Sequence, residues 1–358
     1  MRIALILGGG FSKCASLPTQ DEFPDYFLSD ELSDSPLHKA ISVIIKEYLV
    51  DVFGWREGRS FPTLEDYFTC LDLSANSGHN LGDNKYTPRK LRAIRRVTIY
   101  RIFQILDHQY KRSDAIEIFL SDLTQKYKVN YIVTNWDIVL ERVLIDLGMI
   151  NQINYGFECY DWNSTSIKKN VVDDVVISKL HGSSNWIYCE SCTKIYYDLY
   201  RELALHEMVG INPSDFSLFK GRTDIANITK LNIKSHNRKC PYCKSKFSLS
   251  THIATFSYKK SYRTFAYPAI WHAAQMNLSE SDEWIFVGYS LPHADYEFKH
   301  LLKSAELSYT VRPIIKIILK DDLKAAERYL KFFGSRLASK NIYQNGLEEY
   351  VNKELQKK

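Results

Sequence analysis

Five apolar, β-branched runs punctuate the chain: Ile3 to Leu7, Val129 to Val133, Asp174 to Ser178, Trp284 to Val287 and Arg312 to Leu319. Each is short, bounded by turn-forming residues and continuous, not alternating, in hydrophobicity. An alternating strand has one wet face, whereas a continuous one is covered on both. The runs therefore predict an α/β fold in which a parallel sheet lies between helices, and parallel neighbours need crossover connections. Amphipathic stretches at Asp137 to Leu147 and Tyr267 to Leu278 can supply them.

The runs are far apart, so the sheet must be assembled across two long insertions. The first, Lys13 to about Lys128, carries apolar residues at helical spacing: Leu37, Ile41, Ile44, Ile45 and Tyr48, then Leu91, Ile94, Val97, Ile102, Ile105 and Leu106. Between them Ser74 to Pro88 is rich in Asn, Gly and Asp and reads as a surface loop. Gly346 to Lys358 reads as a short terminal helix with a basic end. The expected division is a discontinuous core of residues 1–12, 129–187 and 251–320, a mostly helical insertion at 13–128, a second insertion at 188–250 and a C-terminal helical segment at 321–358.

With 358 residues, 45% hydrophobic and 25% charged, the composition is that of an ordinary globular protein. Its net charge of +5, from 47 basic and 42 acidic side chains, is too balanced to indicate nucleic acid or an anionic membrane as the main partner. The basic run Arg89, Lys90, Arg92, Arg95, Arg96 and Arg101 reads as a solvated helix face or as a contact for nucleic acid or an acidic partner. Ile3 to Leu7 is too short and too early for a secretory segment, and no run approaches a membrane span, so a cytoplasmic location is expected. In a reducing compartment the two C-x-x-C pairs, Cys189/Cys192 and Cys240/Cys243, point to metal and not to disulfides. Four thiolates form the usual closed structural zinc site, although compact ribbons separate their pairs by only about fifteen to twenty residues. Cys14, Cys70 and Cys159 read as buried small hydrophobes.

Candidate chemistry gathers where apolar runs end. Gly8-Gly9-Gly10-Phe11-Ser12 suits either backbone approach to a phosphate or a tight turn. Asn135 and Asp137 stand where an open α/β sheet places its ligand crevice, and both also cap helices well. His181 follows the third run, with Gly182 leaving room beside the ring for a ligand; such a histidine is either a structural side chain or a base near physiological pH. Gly288 and Ser290 suit a second backbone approach or a turn before Pro292. Asp321 either bonds a nucleotide ribose, as acidic residues do in dinucleotide sites, or caps the next helix.

Taken in order, Gly8-Gly9-Gly10-Phe11-Ser12, Ser16-Leu17-Pro18, Thr134-Asn135-Trp136-Asp137, His181-Gly182-Ser183, the two C-x-x-C pairs and Gly288-Tyr289-Ser290-Leu291-Pro292 resemble the sirtuin-like (silent-information-regulator-type) superfamily. Glu65-Asp66 and the stretch from Ala269-Ile270-Trp271 to Pro292 look most like its bacterial antiphage-defence branch, whose members degrade NAD. The resemblance implies a Rossmann-like core with a helical insertion and a small zinc-binding insertion. It implies cofactor contacts from Gly8, Gly9, Gly10, Phe11, Ser12, Pro18, Thr134, Gly288, Ser290 and Asp321. Asn135 would contact the nicotinamide ribose and position a water, Asp137 would accept from the nicotinamide carboxamide, and His181 would act as base. Cys189, Cys192, Cys240 and Cys243 would hold zinc. Deacylases of the superfamily carry Asp-Phe-Arg after the phosphate glycines and Phe-Gly-Glu after the second cysteine pair. This chain reads Thr19-Gln20-Asp21 at the first place and has no Phe-Gly-Glu between Lys244 and Lys260. The resemblance thus implies an NAD glycohydrolase, with protein deacylation and non-catalytic nucleotide sensing as the other readings, held off until homo-oligomer assembly, a nucleotide signal or a separate sensor protein activates it.

Overall fold

The computed structural model describes residues 1–32, 35–163, 175–200, 203–219, 239–246, 249–258, 266–308 and 312–355. Eleven strands fall within them: β1 Arg2–Leu7, β2 Lys128–Val133, β3 Ile153–Asn154, β4 Tyr160–Asp161, β5 Val175–Lys179, β6 Gly182–Cys189, β7 Ile195–Tyr197, β8 Leu249–Ile253, β9 Glu283–Val287, β10 Ile314–Ile318 and β11 Ile342–Tyr343. Seven of them form one sheet in the order β11-β10-β9-β1-β2-β5-β3, and every pairing in it is parallel.

All five apolar runs became strands of this sheet; Asp174, expected to open the third, lies outside the described residues. Burial explains why they do not alternate. Ile3 to Leu7 and Trp284 to Val287 are nearly or wholly excluded from solvent on both faces. The crossover helices are Val139–Asp146 and Ala266–Ser279. Strand order reverses about β1, which pairs with β2 on one side and β9 on the other. An open α/β sheet places its ligand crevice beyond the carboxyl ends of the strands at such a switch.

Between β1 and β2 the chain is helical, and local chemistry sets the boundaries. Pro36–Phe53, Leu64–Ser77 and Pro88–Gln109 are capped by the side chains of Ser35, Thr63 and Thr87, which accept from His38, Asp66 and Lys90 amides. Pro36 and Pro88 open their helices, where no intrahelical amide partner is lost. The loop expected from Ser74 to Pro88 is shorter than that: residues 74–77 complete a helix that stops at Gly78, φ +74°, and Pro88 begins the next.

Most of the basic run on that last helix turns toward neighbouring elements, while Arg89 and Arg92 are exposed. Arg95 reaches Asp72 at 2.9 Å, Lys90 reaches Glu47 at 3.7 Å, Arg92 donates to Ala75 O at 2.9 Å and Arg96 pairs with Asp215. Arg101 is fully buried and donates to His38 O and Ser42 Oγ. These cations hold the helical part together.

The other four strands form a second sheet, β4-β7-β6-β8, in which β6 is antiparallel to both β7 and β8. β6 leaves the end of the parallel sheet directly after His181 and runs to Cys189. The terminal helix is Gly346–Tyr350, continued by a π turn at Val351–Leu355; residues 356–358 of the expected helix lie outside the described residues. Among the described residues no helix is long and apolar enough to cross a membrane.

Candidate active site

Four connecting segments meet at the carboxyl edge of the parallel sheet: residues 8–12 after β1, where Gly9–Lys13 form a short helix, 134–138 after β2, 180–181 after β5 and 288–295 after β9. The glycines there do different jobs. A Cβ on Gly8 would stand 2.5 Å from Tyr289 Cα, and one on Gly10 2.7 Å from Gly288 Cα. One on Gly288 would stand 2.2 Å from Phe11 N. These glycines let the first and fourth loops touch, and Gly10 N–H donates to Gly288 O at 2.8 Å across the contact. Only Gly9, with nothing near its Cβ position, fits the expected approach to a ligand.

Ser12 joins the first loop to the second. Its hydroxyl donates to Asp137 Oδ2 at 2.7 Å and accepts from Asn135 Nδ2 at 2.9 Å. Asp137 Oδ1 accepts from Val139 N at 3.1 Å, so this carboxylate also braces the start of the helix Val139–Asp146; Asn135 is half-buried and turned to Ser12. Trp136 between them donates from its indole to Ala254 O at 3.0 Å, and its carbonyl accepts from Ser184 N at 2.7 Å. Below lies a buried ion pair, Lys179 and Glu141 at 3.4 Å, whose ammonium also donates to Asp137 O. Tyr155 donates to Glu141 at 3.3 Å and accepts from Asn185. Removing two charges from water is costly unless each finds partners, so this network fixes the loop that carries Asn135.

His181 is 8% exposed, with Nδ1 3.0 Å from Thr134 O and Nε2 3.8 Å from Asp295 Oδ1. Gly182, φ +85°, does not make room for a ligand as expected: a Cβ there would meet His252 O at 2.3 Å, so the glycine admits strand β8. Pro18 is buried beyond the turn in which Leu17 N donates to Ser12 O. Ser290 O accepts from Arg328 Nε at 2.8 Å. Asp321 sits exposed at this edge with φ +52°, and the cap it might have supplied comes from Asp322, which accepts from Ala325 N. Cys14, one turn past the glycines, is pushed up to about 11 by burial and stays a thiol at neutral pH, in keeping with its expected passive role.

Sequence reasoning missed Lys179, Glu141, Tyr155 and Asp295. Lys179 directly precedes Leu180-His181 at the end of an apolar strand, and a charge in that place was a usable signal. Asp295 reads as one more helix cap.

The four cysteines of the C-x-x-C pairs come together, with all sulfurs within 4.8 Å of one another. Cys189 and Cys243 sulfurs are 3.7 Å apart, and Cys192 and Cys240 sulfurs 3.6 Å. Sulfurs bound to one zinc at about 2.3 Å stand about 3.8 Å apart at the corners of a tetrahedron. Each pair is presented by the same knuckle. Thr193 N donates to Cys189 O and Lys244 N to Cys240 O, and both Thr193 and Lys244 have φ +60°. The residues fit a closed structural zinc site, seated on a small core of Tyr160, Trp162, Ile187 and Tyr196.

No protein-family model matches the chain, and no curated protein matches it. Solved structures similar to it include "Sir2-p53 peptide-NAD+", at TM-score 0.44 and 13% identity, covering 98% of this chain and 90% of that one. "Sir2 bound to acetylated peptide" gives TM-score 0.44 and 13% identity over 98% and 90% of the two chains. "Structural Basis for the Mechanism and Regulation of Sir2 Enzymes" gives TM-score 0.40 and 12% identity over 98% and 91%. The likeness is low in identity and in TM-score, so function is inferred from the site's own geometry.

Proposed function

We propose that the chain hydrolyses NAD to ADP-ribose and nicotinamide at the edge of the parallel sheet, with Asn135 and His181 as its catalytic residues. The observation that carries this reading is the Asn135–Ser12–Asp137 hydrogen-bond chain, set beside His181 at the carboxyl end of adjacent parallel strands next to the β1 switch. Gly9, Phe11, Ser12, Pro18, Thr134 and Ser290 would line the dinucleotide, and Asp321 would meet its outer ribose. Gly8, Gly10 and Gly288 contribute by keeping the two loops in contact.

Breaking the bond from C1′ of the ribose to nicotinamide sends the electron pair to the departing ring, which becomes neutral. Water then forms the new bond to C1′, and its proton passes to the ribose oxygen that His181 has deprotonated while the imidazolium returns its own proton to solvent. The developing positive sugar needs positioning and fixed dipoles more than a covalent partner. Asn135, held by Ser12, orients the ribose and the water. Asp137 keeps lone pairs for the nicotinamide carboxamide, and His181 takes the proton of a ribose hydroxyl at Nε2. The cysteine cluster would hold zinc as scaffold only, since four thiolates leave no open position. The motif resemblance supports a role for this activity in bacterial antiphage defence, restrained until a partner, a signal or homo-oligomer assembly releases it.

The test is product analysis after incubating the purified protein with NAD, with and without an acetyl-lysine peptide. The expected products are ADP-ribose and nicotinamide, independent of the peptide and absent from folded Asn135→Ala and His181→Ala variants. An acetylated ADP-ribose formed only with peptide would establish deacylation instead. Binding without turnover would establish a sensor.

A further inference from the structure

Asp295 directly precedes the helix Tyr296–Leu307, where an aspartate ordinarily accepts a first-turn amide. It makes no such bond. Its carboxylate is turned inward, 7% exposed, with Oδ2 accepting from the Tyr289 hydroxyl at 3.0 Å and Oδ1 facing His181 Nε2 at 3.8 Å. Tyr289 cannot drift, because its backbone packs where a Gly8 side chain would stand and its carbonyl accepts from the Tyr329 hydroxyl at 2.8 Å. On the other side of the imidazole, Nδ1 faces the carbonyl of Thr134, which can only accept. The ring proton of neutral His181 is thereby assigned to Nδ1 and the lone pair to Nε2.

We infer that Asp295 is a positioning residue that works through His181, a role that rests on reading His181 as the base. When a ribose O–H bond breaks, the electron pair stays on the ribose oxygen and the proton passes to Nε2. The new N–H is then faced by a carboxylate already aimed at it by Tyr289. At 3.8 Å the two groups are too far apart for a hydrogen bond before the transfer, and a charged ring draws them together after it. The interaction is stronger after proton transfer than before it, which is the kind that raises kcat and leaves substrate binding alone.

The experiment pairs kinetics with nitrogen-15 NMR of the His181 ring, assigned by its loss in His181→Gln. Asp295→Asn should lower kcat roughly 10- to 100-fold, the range for carboxylates that support a functional imidazole, while KM for NAD changes about threefold or less. At the same pH, its Nε2 resonance should move toward the lone-pair position relative to the unsubstituted protein. Tyr289→Phe, which removes one hydrogen bond to the carboxylate and leaves the carboxylate in place, should give a smaller kcat loss of the same kind and serves if Asp295→Asn does not fold. A folded variant with kcat within about twofold of the parent, or with an unmoved Nε2 resonance, overturns the role. If the parent protein does not turn over NAD at all, the hydrolase reading fails by itself, and the nitrogen resonance alone decides whether Asp295 serves His181.

Discussion

Acid should destabilise this protein through His252, a residue of β8 pressed between the rings of Tyr188 and Tyr267 at centroid distances of 5.2 and 4.8 Å. Burial first, and the positive charge of Arg95 second, hold its pKa down from 6.5 to about 4. The native state therefore keeps a neutral ring, while the unfolded chain takes up a proton near its ordinary value. A depressed pKa of this kind leaves stability intact above about pH 6.5 and removes it as pH falls toward 4. Linkage puts the loss at about 2 kcal/mol by pH 5 and about 3 kcal/mol by pH 4. The assay is urea unfolding at a series of pH values for the parent and for His252→Phe, which keeps an aromatic ring between the two tyrosines and cannot titrate. The difference in unfolding free energy should be constant from pH 8 to 7 and then shift by about 3 kcal/mol toward pH 4 in the variant's favour. A fixed offset from altered packing does not matter, because only the slope reports the proton. Parallel curves for the two proteins would refute the assignment of a neutral, buried imidazole.

Gly288→Ala should destabilise the fold by about 3 kcal/mol or more, since its Cβ would stand 2.2 Å from Phe11 N at φ +61°, and backbone has no flexible end to move aside; unchanged urea midpoints would refute the loop contact. Metal analysis of protein prepared without chelators should return about one zinc per chain. Any single Cys→Ser change at Cys189, Cys192, Cys240 or Cys243 should lower zinc content and melting temperature together, because binding is coupled to folding of the surrounding segment; a metal-free sample of equal stability would leave the cysteines without that role.

The parallel sheet was legible because burial on both faces writes itself as an unbroken apolar run, and loops that must touch write themselves as glycine. The second sheet was not. β6 carries Ser183, Ser184 and Asn185, each wholly buried, and a strand satisfied by tertiary hydrogen bonds such as Ser184 N to Trp136 O looks polar in sequence. The glycine motifs fell on segments that meet at the carboxyl edge of the sheet but misstated what fills the space beside them, since sequence cannot tell a ligand's approach from that of Gly288 or of β8. Lys179 and Glu141 were invisible as a pair because their separation in sequence follows no helical or strand period. Asp295 was hidden by a local rule it breaks, and that departure is what makes it informative.

β6 joins His181 at one end to Cys189 at the other with no loop between. An extended strand is a ruler of about 3.3 Å per residue whose side chains change face at every step. The pairing of β6 with β8 is irregular between Gly182 and Ile187 and regular from Ile187 to Cys189, so deleting or adding one residue in the regular part would turn Ile187 out of its core and swing the first sulfur away from the other three. Natural length variation in homologous chains is expected to spare residues 187–189 and to fall, where it occurs in this strand, on the irregular stretch before Ile187.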